Sequence, residues 1–550
     1  MKDSRDMGVR DLLRILSLWR TQAGWLIAGA ALSVAALATA LGLMTLSGAT
    51  VAAALVSGAL GAPAALRALG SARVLLRYFE RLTTHGGTFR ALADLRVWFF
   101  RGMARGSAGG LGFRRAGDLL SRLVGDVEAL DGLYLRILLP AIGAVFLLPV
   151  LMLLILPVNT KLALAIGVLF GFAAFWLPWL LARKTLGAGH GLAEASAGLR
   201  VAAIDALTGL REVRAFAAEG RMLAAVQARE ASLLSAQHDQ ARRVAWASAA
   251  AFLCGQAALL CVLVASAANS LAAMAGAFLI LAAFESVAGL PRAGALAGYA
   301  AAAAHRVLAA AEQPAAAPDP PSPGIAPENA SLRFESVDFR WQADRPEVFD
   351  GLTLDVPAGA RVALLGPSGA GKSTLAALAL RVVAPDRGCI RLGGVDIATL
   401  AASDVRSKIG WLSQATHLFD DTIRANLLLA RPLANDAALW AALDAAQVAD
   451  MVRALPDGLD TWAGEGGARF SGGQGRRLAL ARALLSEASL LILDEPCAGL
   501  DAETERAFLA TLNDATIGRG VILIAHRLTG VERLDRIYRL SSGRAVAAAA

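Results

Sequence analysis

Nine consecutive residues, Gly366-Pro367-Ser368-Gly369-Ala370-Gly371-Lys372-Ser373-Thr374, carry the densest chemistry in this 550-residue chain. They fit G-x-x-x-x-G-K-[ST], come directly after the apolar run Val362–Leu365, and lead into a helix-like stretch from Leu375 to Leu380. That strand–loop–helix setting is what the pattern needs to cradle phosphates. Glycines let backbone N–H groups turn inward around phosphate oxygens, where a side chain would block the approach. The helix start adds partial positive charge, Lys372 reaches the outer phosphates, and the Ser373 hydroxyl suits Mg²⁺. A glycine-rich turn in a Rossmann-like domain would share the glycines but not the further elements found downstream in this chain.

Farther along come residues that complete a nucleoside-triphosphate site. Trp341, at the end of Val337-Asp-Phe-Arg-Trp341, offers an aromatic face for an adenine ring, or for ordinary core packing. Gln414 comes after the strand-like Ile409-Gly-Trp-Leu-Ser and can reach Mg²⁺ or an attacking water. Ser471-Gly472-Gly473-Gln474 opens a helix running to Leu485, a second anion-binding helix start. The apolar strand Leu490–Leu493 ends in two carboxylates: Asp494 to hold the metal, Glu495 to orient and deprotonate water. Ala498-Gly-Leu-Asp501 comes next, and Ile522–Ala525 ends in His526, suited to the γ-phosphate.

In this order, the set resembles an ABC-transporter nucleotide-binding domain: Walker A, Q-loop, signature, Walker B, D-loop and H-loop. The resemblance implies that two such domains sandwich two ATP molecules, each held by one domain's Walker A and the other's signature. One chain carries one such domain, so a second chain is implied. Departures are small: Phe470 opens the signature where leucine is usual, Trp341 replaces tyrosine, and Cys497 stands where threonine is frequent. Glu495 and His526 predict a hydrolytic site.

The elements that must position these residues divide the chain. About 330–545 alternates strands and helices, an α/β P-loop pattern. Residues 312–329, with Pro314, Pro318, Pro320, Pro321, Pro323 and Pro327, predict an extended, semi-rigid linker. Upstream, residues 23–311 predict an all-α transmembrane domain, and 56% hydrophobic composition agrees. Six apolar stretches, near 23–45, 50–70, 137–157, 162–182, 246–268 and 271–291, each approach the ~20 residues a spanning helix needs. The connections at 46–49 and 269–270 are uncharged and 158–161 carries only Lys161, while arginines crowd 67–136 and 183–243. Positive loops stay inside, so both termini and the ATP-binding domain are expected in the cytoplasm. The same distribution accounts for the net charge of +8 without nucleic acid. Helical patterning through both inner loops predicts helices extending below the membrane, with breaks at Gly106–Gly112 and Leu207–Gly209 and a short crosswise helix near each. Residues 1–22 set Arg5, Arg10 and Arg14 among Leu12, Leu13, Ile15 and Leu16, an amphipathic interfacial helix. Cys254, Cys261, Cys389 and Cys497 read as reduced packing residues.

Six spans and one ATP-binding domain resemble an ABC exporter half-transporter over essentially the whole chain. Arg77-Tyr-Phe-Glu-Arg81-Leu-Thr-Thr-His85 with Thr88–Leu92, and Gly117–Arg122 through Asp131–Arg136, resemble the CydC half of the CydDC-type heterodimeric bacterial exporters. That resemblance implies the inner membrane, a CydD-like partner, and thiol (cysteine, glutathione) or haem export supporting cytochrome bd assembly. Arg77, Arg81 and His85 share one helical face, where imidazole suits haem iron and guanidinium suits propionates. A solvated His85 in a basic loop fits equally. Glu285, in the sixth span, is costly in lipid and is expected to face a cavity or a basic partner. A lipid or drug exporter half, or a regulatory subunit whose ATP site gates a partner, are the alternatives.

Overall fold

The computed structural model describes residues 3–57, 63–106, 125–266, 270–342, 344–497 and 502–548. The chain forms two compact units, the first reaching Gln313 and the second starting at Pro314.

The first unit is helical: α1 (Asp3–Leu18), α2 (Ala23–Ser57), α3 (Pro63–Gly106), α4 (Leu139–Ile155), α5 (Thr160–Gly171), α6 (Leu177–Thr208), α7 (Leu210–Ala215), α8 (Glu219–Ala265), α9 (Ser270–Val287) and α10 (Leu290–Ala311). Among the described residues, five helical stretches are long and apolar enough to cross a membrane. The expected second span, 50–70, runs across residues 58–62, outside the described set. The turn expected at 46–49 is not there, because α2 continues to Ser57. Thr45 and Ser47 hydroxyls donate back to the carbonyls of Leu41 (2.8 Å) and Leu43 (2.7 Å), so their polarity is satisfied inside the helix. Gly48 is also needed there: a Cβ would come within 2.6 Å of the Met274 carbonyl oxygen of α9.

The connection expected at 158–161 is a turn at 156–159, with the Asn159 side chain accepting from the Leu162 N–H at 3.1 Å to start α5. The predicted break near Gly209 is also present, and the short α7 comes after it. The other predicted break, past Gly106, lies outside the described residues. At 44 and 47 residues, α3 and α8 are about 66 and 70 Å long at the helical rise, over twice the hydrocarbon thickness. The apolar stripe of α1 is divided. Ile15 and Trp19 are buried against Leu92, Leu95 and Phe99 of α3, while Val9 and Leu13 remain exposed. The His305 ring nitrogen Nδ1 lies 2.9 Å from an Asp11 oxygen, and Arg14 donates to Glu312, tying α1 to the end of α10. Helices α6 and α10 meet at two glycines one turn apart. A Cβ at Gly294 would collide with the Pro178 carbonyl, and one at Gly298 would lie 2.5 Å from the Thr185 backbone.

Among the described residues the second unit holds ten strands: β1 (Leu332–Phe339), β2 (Phe349–Val356), β3 (Arg361–Leu365), β4 (Arg387–Leu392), β5 (Val395–Asp396), β6 (Ile409–Leu412), β7 (Leu490–Asp494), β8 (Gly520–Ala525), β9 (Arg536–Ser541) and β10 (Arg544–Ala548). One sheet runs β10-β9-β3-β8-β7-β6, with β9, β3, β8, β7 and β6 parallel and β10 antiparallel at the edge. A smaller antiparallel sheet runs β2-β1-β4-β5. β7 is buried at every position, as a central parallel strand covered on both faces must be. The expected domain end at 545 falls within β10.

The proline-rich stretch starts the second unit at Pro314 and is docked on it. Arg381, almost fully buried, donates to Asp319 (2.6 Å) and to the Pro318 and Leu400 carbonyls, and Gly324 bridges to Leu400. The Ala402 N–H, with help from Arg381, holds the Asp319 carboxyl below its ordinary range.

Candidate functional site: the phosphate loop and the strand ends beside it

The phosphate loop leaves β3 at Leu365 and enters α11 (Lys372–Ala379) at Gly371. Gly371 has φ +98°, and a Cβ there would lie 2.7 Å from Val348 Cγ1 and 2.8 Å from Phe349 Cε1. Glycine is therefore required twice over, by backbone conformation and by space. Lys372 is almost fully buried and donates to the Gly366 and Pro367 carbonyls at 2.8 and 3.0 Å, so its ammonium lies over the loop. Ser368, Gly369 and Ala370 form the turn between, closed by the Ala370 N–H on the Pro367 carbonyl at 3.2 Å.

Because β3, β8 and β7 are adjacent and parallel, their C-terminal ends deliver Walker A, His526 and Asp494–Glu495 to one edge. The Ser373 hydroxyl donates to Asp494 Oδ2 at 2.9 Å. Burial, reinforced by neighbouring Glu495, pushes the Asp494 carboxyl above its ordinary range despite the Ser373 hydrogen bond, Lys372 and Arg476. Two hard oxygen donors this close, one carrying a costly buried charge, fit Mg²⁺. The ion would clamp the outer phosphates and neutralise their developing charge.

Glu495 turns sharply off the strand with φ +50°, its N–H held by the Ile524 carbonyl at 2.9 Å. Its Oε1 lies 2.7 Å from His526 Nε2 and accepts from Gln414 Nε2 at 3.3 Å. Two residues from distant parts of the sequence, Gln414 and His526, thus converge on one carboxylate. Ser471 caps α12 (Gly472–Leu485) reciprocally with Gln474: each side chain meets the other's backbone N–H, at 3.2 and 3.0 Å. A Cβ at Gly472 or Gly473 would meet nothing within 4 Å, so that helix start faces open space. Asp501 lies outside the described residues.

Trp341 packs against the core of this unit, the second of the two roles the sequence offers. It packs edge-on against Phe339 with centroids 5.2 Å apart, and its indole N–H donates to Thr374 of the phosphate loop at 3.2 Å. Sequence reasoning misses Arg476. From the second turn of α12 it donates to the Asp494 carbonyl at 2.8 Å, linking the signature helix to the end of β7. The only trace in sequence is the pair Arg476-Arg477 after Gln474. The thiol of Cys497 is pushed up to about 12 by burial and by nearby Glu505 and Glu532.

In the first unit, Arg77 and Arg81 line a cavity of about 1000 Å³, as does Glu285. His85 is not among its lining residues; it is exposed, with its ring 6.0 Å from Phe89. Among the described residues, all four cysteines are free and no cluster of metal-ligating side chains is present.

A helical membrane unit and a phosphate-loop sheet ending in paired carboxylates define a membrane transporter driven by ATP. Two family profiles agree: residues 349–498 match that of the ABC transporter and 63–289 that of the ABC transporter transmembrane region. The chain belongs to the ABC transporter family, as an exporter-type half-transporter with ATPase activity coupled to transport. It is 34% identical over 554 residues to the glutathione/L-cysteine transport system ATP-binding/permease protein CydC of Escherichia coli (strain K12), covering 98% of this chain and 96% of that one. The Haemophilus influenzae protein of the same name is 32% identical over 559 residues, with the same coverage. An ATP-dependent lipid A-core flippase of Chromohalobacter salexigens is 42% identical, but over 39% of this chain and 37% of its own. The fold matches a bacterial Atm1-family ABC exporter with ATP bound: TM-score 0.84, 24% identity, 94% of each chain.

Proposed function

We propose that this chain is one half of a heterodimeric exporter that uses ATP to move glutathione and cysteine across the bacterial inner membrane, in support of cytochrome bd assembly. The carrying observation is coverage: similarity to the two glutathione/L-cysteine transport proteins extends over 98% of the chain, membrane unit included. The flippase likeness covers only 39%. Six spans, a CydD-like partner and cytoplasmic termini belong to the same proposal, supported by the arginine distribution.

Gly366 through Thr374 receive the phosphates, with Lys372 swinging from its loop carbonyls to the outer oxygens. Trp341 is placed beside Thr374 to stack the adenine. Ser373, Asp494 and Gln414 hold Mg²⁺. Glu495 orients and deprotonates the attacking water, while His526 steadies that carboxylate and then the γ-phosphate. The open signature helix start at Ser471–Gln474 serves the partner's ATP. The convergence on Glu495 supports hydrolysis over a purely regulatory role.

Haem export has less support from the geometry, since His85 does not share the cavity that Arg77 and Arg81 line. Inside-out vesicles carrying the chain with its partner should accumulate labelled glutathione and cysteine when ATP is supplied. Failure to accumulate either thiol would overturn the reading.

A further inference from the structure

The large cavity of the membrane unit lies among α2, α3, α9 and the start of α4, and its polar lining is uneven. Arg73, Arg77 and Arg81 come from one face of α3, four residues apart. From first to last they span about 12 Å along the helix axis at the usual rise. Glu80 lies beside them and is different in kind. It is 6% exposed, and its Oε2 has no hydrogen-bond partner; the nearest cation is Arg77 Nη1 at 3.8 Å. A buried carboxylate oxygen without a partner is costly, and it lines a space large enough for a ligand that would supply one. Glu285 of α9 faces the same space.

We infer that this cavity is a zwitterion site, in which Glu80, with Glu285, receives a ligand ammonium and Arg73, Arg77 and Arg81 receive its carboxylates. Three arginines against two glutamates leave one net positive charge, which a ligand with two carboxylates and one ammonium neutralises. An extended tripeptide places its ends roughly 10 Å apart, close to the reach of the arginine row. The site therefore prefers a glutathione-like peptide to the single-carboxylate zwitterion cysteine. A flat porphyrin dicarboxylate could use the arginines but leaves Glu80 unpaired. This rests on the thiol-export reading for its ligand class, and it assigns residues to a site that reading leaves open.

The test measures equilibrium binding of labelled peptide to the full chain with its partner in lipid nanodiscs. Glutathione should bind at least about tenfold more tightly than N-acetylglutathione, which lacks the ammonium, and than cysteine. Glu80→Gln should remove about tenfold of the glutathione affinity while changing N-acetylglutathione less than about twofold. Comparing the two ligands on the unaltered protein needs no variant to fold. Equal binding of both peptides, or an equal loss of both in Glu80→Gln, would overturn the site. ATP-driven glutathione transport that is indifferent to changes at Glu80 and Arg81 would sink the site and leave the export reading standing. Ammonium-dependent binding without transport would do the reverse.

Discussion

In the ATP-binding unit, Lys372, Gln414, Asp494, Glu495 and His526 come from separate loops and strand ends, and a parallel sheet brings them to one edge. In the membrane unit, Arg73, Arg77, Glu80 and Arg81 come from consecutive turns of one helix, and only their spacing brings them together. In the first arrangement main-chain groups fix several positions: the Glu495 N–H bonds the Ile524 carbonyl, Lys372 donates to its own loop, and Arg476 donates to the Asp494 carbonyl. The second is lined by long side chains with few fixed partners, as a site that must accept and release cargo would be. Chemistry that must be geometrically strict is built on sheet edges and tight turns; selection by charge needs only a helix face.

The sharpest way to break this contrast is Glu495→Gln. It should lower ATP hydrolysis by about 10²–10⁴-fold while nucleotide binding persists, read by phosphate release against binding of a labelled nucleotide. Loss of binding as well would mean that Glu495 is structural. Gly371→Ala forces a Cβ into Val348 and Phe349 at φ +98° and should destabilise the second unit by about 2–4 kcal/mol. Nucleotide binding should vanish with it, as seen by thermal unfolding with and without ATP.

The membrane unit's counterpart is Arg306, whose guanidinium grips Asp126 with two bonds at 2.6 and 2.9 Å. Arg306→Ala leaves a buried carboxylate behind and should cost about 1–3 kcal/mol in detergent melts, leaving the phosphate loop's nucleotide affinity unchanged.

The smallest effect concerns Cys497. An unfolded thiol ionises near 9.0, whereas the folded one holds its proton to about 12. The folded state thus binds more protons across that window. The contribution is intact below pH 9 and is lost as pH rises toward 12. At pH 8, alkylation of folded Cys497, measured by mass spectrometry, should run well behind that of the denatured chain.

Much of the second unit is readable in sequence because each motif fixes its own backbone: a glycine loop, a capped helix, an apolar strand ending in carboxylates. Arg476 is not, because a cation that holds a main-chain carbonyl leaves no spacing rule. In the proline-rich stretch composition reports stiffness, while its docking depends on Arg381, buried far along the chain. In the first unit, the turn expected at 46–49 rests on span length alone, whereas Ser47 and Gly48 lie inside α2. One hydroxyl satisfies its own helix, and the absent Cβ admits a neighbouring backbone. The cavity is legible in sequence at Glu285 but not at Glu80. Helical periodicity puts Arg77 and Arg81 on one face but cannot say that Glu80, a step away, is the buried one.

The seam at Gly294 and Gly298 limits how the bundle can rearrange. With main chain against main chain at two successive turns, α6 and α10 leave no room for sliding or rotation without steric collision. They must travel as a single stiff beam, so any alternation between inward and outward shapes has its pivots elsewhere. The interruptions at 156–159, Gly209 and 288–289 are where this fold can bend.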